Sequence, residues 1–143
     1  MDRQIGLILW GGMLKQIIQF DNLLQEKITT FETRLEKICV ELCQTYQAKF
    51  EKSGKCLVIE LIRIQNGKNA DQIDVFEDNY ESFIEIGIEM ETEYYPNGYI
   101  PIWKVKTEWF QKMGYLTHHN EEEIRHILHS MVAEMLEDKN EPQ

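Results

Sequence analysis

Six residues near the C-terminus, His118, His119, Glu122, Glu123, His126 and His129, are of types that ligate metal ions. Glu123 and His126 are three apart, the spacing that places a carboxylate and an imidazole on one helix face, as in di-iron carboxylate proteins. Such a centre needs a second Glu-x-x-His pair and two further glutamates on facing helices, and the sequence contains no second pair. A zinc site needs three or four converging ligands. On a helix, His126 projects roughly opposite the apolar stripe while His129 lies at its border, so the two diverge. The expectation is a solvated helix face with no metal and no other cofactor. A metal-dependent enzyme built on this cluster is the lesser alternative.

Cys39, Cys43 and Cys56 are the candidate nucleophiles. A thiol enzyme needs a histidine beside its cysteine. Here all four histidines fall in one C-terminal stretch, and the cysteines occupy expected core positions. Three cysteines with no C-x-x-C pair point to a reducing, cytoplasmic setting rather than a disulfide framework. No phosphate-binding glycine loop and no nucleophile elbow occurs. The sequence therefore reads as non-enzymatic.

Charge carries more information. Twenty-five acidic residues against fifteen basic ones give a formal charge of −10. Nucleic acid and anionic membranes are bound through lysine and arginine, so both are disfavoured as partners. A protein partner with a basic surface is favoured. The apolar run Ile5–Leu14 is too short to cross a bilayer, and no small-residue cleavage site precedes Lys15.

The elements that must position these groups are legible from periodicity. Residues 13–53 lack Gly and Pro, and Leu14, Ile17, Asp21, Leu24, Ile28, Phe31, Leu35, Ile38 and Leu42 follow a heptad a/d repeat. This predicts a long helix, continuous or kinked near Asp21-Asn22 or Thr29-Thr30, where Thr29 and Glu32 have capping-box spacing. Its seam, Leu24, Ile28, Phe31, Leu35, Ile38 and Leu42, is the expected surface of a homodimer. A coiled-coil scaffold is accordingly the main alternative function.

Lys55–Ile64 reads as a largely buried strand, and 65–72 as a polar loop with an Asn-Gly turn. Ile73–Tyr80 is either a short edge strand or an irregular return. Ser82–Tyr95 alternates with period two: Ile84, Ile86, Ile88, Met90, Thr92 and Tyr94 on one side, Glu85, Gly87, Glu89, Glu91 and Glu93 on the other. Asn97-Gly98 is the preferred pair for a tight hairpin turn. That turn sets Glu91 opposite Lys104, Glu89 opposite Lys106, Met90 opposite Val105 and Thr92 opposite Trp103. It also buries Trp103 and Trp109. Thr107–Leu116 reads as a transition interrupted at Gly114. Asn120, with Glu123 three residues on, opens an amphipathic helix.

The sum is one α+β domain over residues 1–143: a helical segment at 13–53, a three- to four-stranded antiparallel sheet at 55–109, and a C-terminal amphipathic helix at 120–137. Helices cover one sheet face, and the acidic hairpin face stays open. The expected function is a protein-binding module, such as an inhibitor, an immunity- or antitoxin-type protein or a dedicated chaperone. Its contact residues are Glu85, Glu89, Glu91, Glu93, Tyr95 and Tyr99.

Overall fold

The computed structural model describes residues 14–139. Apart from Leu14, the apolar run Ile5–Leu14 lies outside the described residues, as do residues 140–143. The chain forms β1 (Leu14–Ile17), α1 (Asn22–Glu51), β2 (Lys55–Gln65), β3 (Lys68–Asn69), a 3-10 turn (Gln72–Asp74), β4 (Tyr80–Met90), β5 (Glu93–Glu108), β6 (Gln111–Thr117) and α2 (Glu121–Lys139). The strands make one antiparallel sheet in the order β1-β6-β5-β4-β2-β3.

The helical reading of 13–53 holds only from residue 22. Asp21 sits in an extended conformation and accepts the Leu24 N–H at 2.9 Å, which caps the helix and separates it from what precedes. Leu14–Ile17 instead pairs with β6, Leu14 opposite Thr117, so part of the heptad pattern belongs to a strand. From Asn22 onward α1 runs 30 residues, roughly 45 Å at 1.5 Å per residue. The threonines do not interrupt it, because Thr29 and Thr33 donate their hydroxyls to the carbonyls of Gln25 and Thr29. Gly54 ends the helical segment with φ +73.

The seam residues of α1 face their own sheet. Ile28, Leu35, Ile38 and Leu42 are buried in the core, with Leu24 and Phe31 packed against it. The heptad spacing thus serves intramolecular packing, with Ile28, Leu35, Ile38 and Leu42 buried against the chain's own sheet and Leu24 and Phe31 half-buried beside them. The stripe is wide because it covers a sheet rather than one facing helix.

Six strands replace the expected three or four. β1 and β6 fall in stretches read as helix and as transition, and β3 contributes two residues. Residues 73–80 form the irregular return. Two glycine-dependent features organise the sheet. Asn66 and Gly67 take φ values of 52 and 79, the pair of left-handed conformations that a tight β2–β3 hairpin needs. Gly114 lies inside β6 under the Trp103 ring, where a Cβ would overlap the indole.

The expected β4–β5 register is wrong. The hairpin turns at Glu91-Thr92, and Met90 pairs with Glu93, Glu89 with Tyr94 and Ser82 with Trp103. Lys104 pairs with Glu81, not Glu91. Asn97-Gly98 lies within β5, and Asn97 is the extra residue where Ile86 pairs with Gly98 and Gly87 with Pro96. A second irregularity at Ile102 lets Ile102 and Trp103 both enter the core despite strand alternation. The observed register pairs all eleven residues of β4 with β2, and ten of them, Glu81 to Met90, with β5.

Trp109 is not buried. It forms with Phe110 the two-residue turn between β5 and β6, with φ of 53 and 65. Each left-handed non-glycine residue costs about 1–2 kcal/mol.

α2 begins as its sequence specifies. The Glu123 N–H donates to the Asn120 side chain and the Asn120 N–H to the Glu123 carboxylate, both at 2.8 Å. Ile124, Leu128, Val132 and Met135 are buried in the shared core. α1 is fastened to the sheet by a buried polar network. Glu32, fully buried, receives Arg63 Nε at 3.0 Å and the Tyr80 hydroxyl at 2.7 Å, while Arg63 Nη1 reaches Glu36 at 2.9 Å. Burial alone would favour a neutral guanidine, but the carboxylates of Glu36 and Glu32 outweigh it and hold Arg63 charged. Burial, followed by the Glu32 charge, pushes the Tyr80 phenol up.

Candidate functional site

Cross-strand pairing assigns the paired residues of β2, β4 and β5 to faces. One face carries Leu57, Ile59, Ile84, Ile86 and Ile100, all buried in the core that also takes in α1 and α2. Among the described residues, neither helix covers the opposite face. Its rows are Cys56, Glu89 and Tyr94; Val58, Gly87 and Pro96; Glu60, Glu85 and Tyr99; Ile62, Phe83 and Pro101; and Ile64, Glu81, Lys104 and Tyr115. Each apolar side chain in these rows is half-buried or exposed. Phe83 and Tyr99 stack edge to face at 5.9 Å between ring centroids.

The centre of this face is acidic. Glu60 pairs directly with Glu85, a like-charge arrangement that costs stability. Tyr94 lies over Gly87, so closely that a Cβ there would come within 2.5 Å of the phenolic oxygen. A glycine inside a strand often marks such a close approach. The Tyr94 hydroxyl is buried and has no hydrogen-bond partner among the described residues. Burial, then the charges of Glu85, Glu60 and Glu89, pushes its pKa up to about 12. Three carboxylates and an unanswered phenol therefore surround one spot on a sheet face edged by aromatic rings.

The residues expected to form a single contact surface divide into three groups. Glu85, Glu89 and Tyr99 share the uncovered face. Glu91 is in the turn with φ +58. Glu93 and Tyr95 pair with Met90 and Ile88, which places them on the helix side at the sheet's end. There the Tyr95 hydroxyl donates to Glu93 at 2.6 Å. The bulge at Asn97 and the turn at Glu91 change the alternation that grouped them. Glu60, Tyr94 and Phe83 were missed. Glu60 was detectable as the one carboxylate in the aliphatic run Lys55–Ile64.

Other reactive groups are dispersed. His129 Nδ1 lies 2.6 Å from the Tyr46 hydroxyl, between the two helices. His119 Nδ1 stands 3.9 Å from Glu123, and His118 and His126 are exposed. Among the described residues, no group of three or more His, Cys, Asp or Glu is placed to share a metal ion. Cys39 is buried and Cys43 half-buried, but Cys56 is exposed on the uncovered face, contrary to its expected core position. No described helix is long and apolar enough to cross a membrane.

No protein-family model, curated protein or solved structure matches the chain.

Proposed function

We propose that this chain is a non-enzymatic protein-binding module that captures a basic partner on its uncovered sheet face. Glu60, Glu85 and Glu89 receive a lysine or arginine of that partner, and Tyr94 and Tyr99 flank the cation. The observation that carries this reading is the Glu60–Glu85 pair beside the unpartnered Tyr94 hydroxyl. Two opposed carboxylates lower stability in the isolated chain, and an inserted cation would turn that repulsion into attraction. The formal charge of −10 adds long-range steering toward a basic surface. Half-exposed Ile62, Phe83 and Pro101 provide the apolar contact that charge alone lacks. An inhibitor, an immunity- or antitoxin-type protein or a dedicated chaperone would work in this way.

The test is affinity capture from native lysate at low and high salt, comparing the wild type with the triple variant Glu60→Lys, Glu85→Lys, Glu89→Lys. A stoichiometric partner that is lost with the triple variant, with affinity reduced about a hundredfold or more, is the expected result. Equal capture by both proteins would end the proposal.

A further inference from the structure

β2 is eleven residues long, but β3 pairs only with its last two, Ile64 and Gln65. The odd-numbered residues of β2 turn their backbone groups outward, away from β4. The Arg63 carbonyl accepts the Ala70 N–H at 3.0 Å, and the Leu57 N–H donates to Gln47 Oε1 at 2.7 Å. Gln47 Nε2 donates in return to the Leu57 carbonyl at 3.1 Å. A side-chain amide from α1 thus closes one end of this edge, and the β3 hairpin closes the other.

Between the two closures lie Ile59 and Leu61. The Ile59 carbonyl meets only the Cys43 thiol, a weak donor, at 3.9 Å. Among the described residues, the Ile59 N–H and both backbone groups of Leu61 have no hydrogen-bond partner. A strand edge left open in this way is a template for one more strand. Main-chain groups free at alternate residues select an extended backbone as the occupant.

The side chains beside the edge select its sequence. Glu60 lies between the two open residues, exposed on the acidic face and opposite Glu85. The next cation along β2, Arg63, is committed to Glu32 and Glu36. On the helix side, Glu36, Val40, Cys43 and Gln47 form one stripe of α1. Glu36, Cys43 and Gln47 each bond to β2, whereas Val40 is left 55% exposed. In an added strand, the residue opposite Glu60 points to the acidic face and its two neighbours point toward α1. A cation between two apolar residues suits both sides. A second copy of this chain does not. The antiparallel register that uses Ile59 and Leu61 of both copies sets Glu60 directly opposite Glu60 of the other copy, adding a like-charge pair to Glu60–Glu85.

We infer that the basic partner proposed above, on whose capture this step rests, joins the sheet as an antiparallel strand along β2 at Ile59 and Leu61. It sets a lysine or arginine against Glu60, with an apolar residue on each side of that cation turned toward Val40.

NMR titration of the isotope-labelled wild type with blocked five-residue peptides tests this, each peptide carrying valine-lysine-valine between two threonines. The Ile59 and Leu61 amides are expected to shift. N-methylation of both valines removes the two donors aimed at β2 and is expected to weaken binding about tenfold or more. N-methylation of the lysine, whose N–H points away from β2, is expected to leave the affinity unchanged. Glutamate in place of the lysine is expected to weaken binding about tenfold or more. Unshifted Ile59 and Leu61 amides with the unmodified peptide at millimolar concentration would overturn the inference. So would equal binding of the two N-methylated peptides; if the lysine peptide then still outbinds the glutamate peptide, capture by the acidic face stands without strand addition. Edge shifts produced equally well by the glutamate peptide would overturn the basic partner and the inference with it. Shifts of the same amides on concentrating the protein alone would overturn it in favour of a second copy.

Discussion

Glu60 stands opposite Glu85 in the β2–β4 ladder, on the sheet face that neither helix covers. Replacing Glu60 with glutamine is expected to stabilise the free protein by about 0.2–1 kcal/mol, because like charges directly opposite are unfavourable. The gain should shrink at high salt, where exposed charges are screened. Urea titrations at two ionic strengths measure it. A salt-independent effect would mean that the two carboxylates do not repel each other appreciably.

Removing the cation from the buried network is expected to cost far more. Arg63→Leu leaves Glu32, fully buried, without its counter-charge, and a loss of about 3–5 kcal/mol follows. Replacing both residues with leucine should recover most of that loss, since an apolar pair strands no charge. Chemical denaturation of the two single variants and the double variant decides the point. A mild Arg63→Leu would show that water reaches Glu32.

Gly87→Ala places a Cβ against the Tyr94 hydroxyl and is expected to cost about 1–3 kcal/mol. A Tyr94→Ala background should relieve only part of this cost, because the Cβ also meets the Tyr95 carbonyl oxygen at 2.6 Å, and the relieved part measures the coupling between the two residues. Gly114→Ala should be worse than Gly87→Ala. The ring it meets is buried and fixed by the Trp103 Nε1 hydrogen bond to the Val75 carbonyl at 2.7 Å.

Thiol reactivity should follow exposure. Cys56 is expected to react first with iodoacetamide, and Cys39 only on unfolding, because burial and then the neighbouring Cys43, Glu36 and Glu60 push its thiol up to about 12. Mass spectrometry of the partly labelled native protein tests the order. Rapid labelling of Cys39 would indicate frequent opening of the α1–β2 contact.

The same shift sets a pH dependence. The folded state keeps the Cys39 proton above the ordinary thiol value of about 8.5, while the unfolded chain loses it. Its stabilising contribution is complete below that value and falls as pH rises toward 12. Tyr80, also shifted upward, adds in the same sense once unfolded tyrosine begins to ionise near about 10. Urea midpoints measured from neutral to alkaline pH should decline, and Cys39→Ala should make the decline less steep. A flat profile would contradict both shifts.

The α+β class, the helical stretch within 22–51 though not its start, the capping box at Asn120 and Glu123 and the strand at Lys55–Ile64 were legible in the sequence. Each rests on interactions only a few residues apart: a side-chain cap, an unbroken helical stripe, a β-branched run. The candidate site was half legible. Glu85, Glu89 and Tyr99 could be named, but the surface that joins them with Glu60 and Tyr94 depends on which residues face each other between β2, β4 and β5.

That pairing belongs to the tertiary structure. Asn97-Gly98 carries the strongest hairpin signal in the sequence and still does not turn the chain, which turns at Glu91-Thr92 and takes Asn97 into β5 as a bulge. The heptad repeat likewise specifies an apolar stripe but not what that stripe packs against. Here the sheet provides the surface, and β6, read as a transition, provides a strand to pair with β1. By itself the sequence determined the two long helices, the strands at Lys55–Ile64 and from Ser82, and the excess of acidic residues. Only the folded chain decided register, face and exposure, because hydrogen bonds between distant strands outweigh the preference of any single turn.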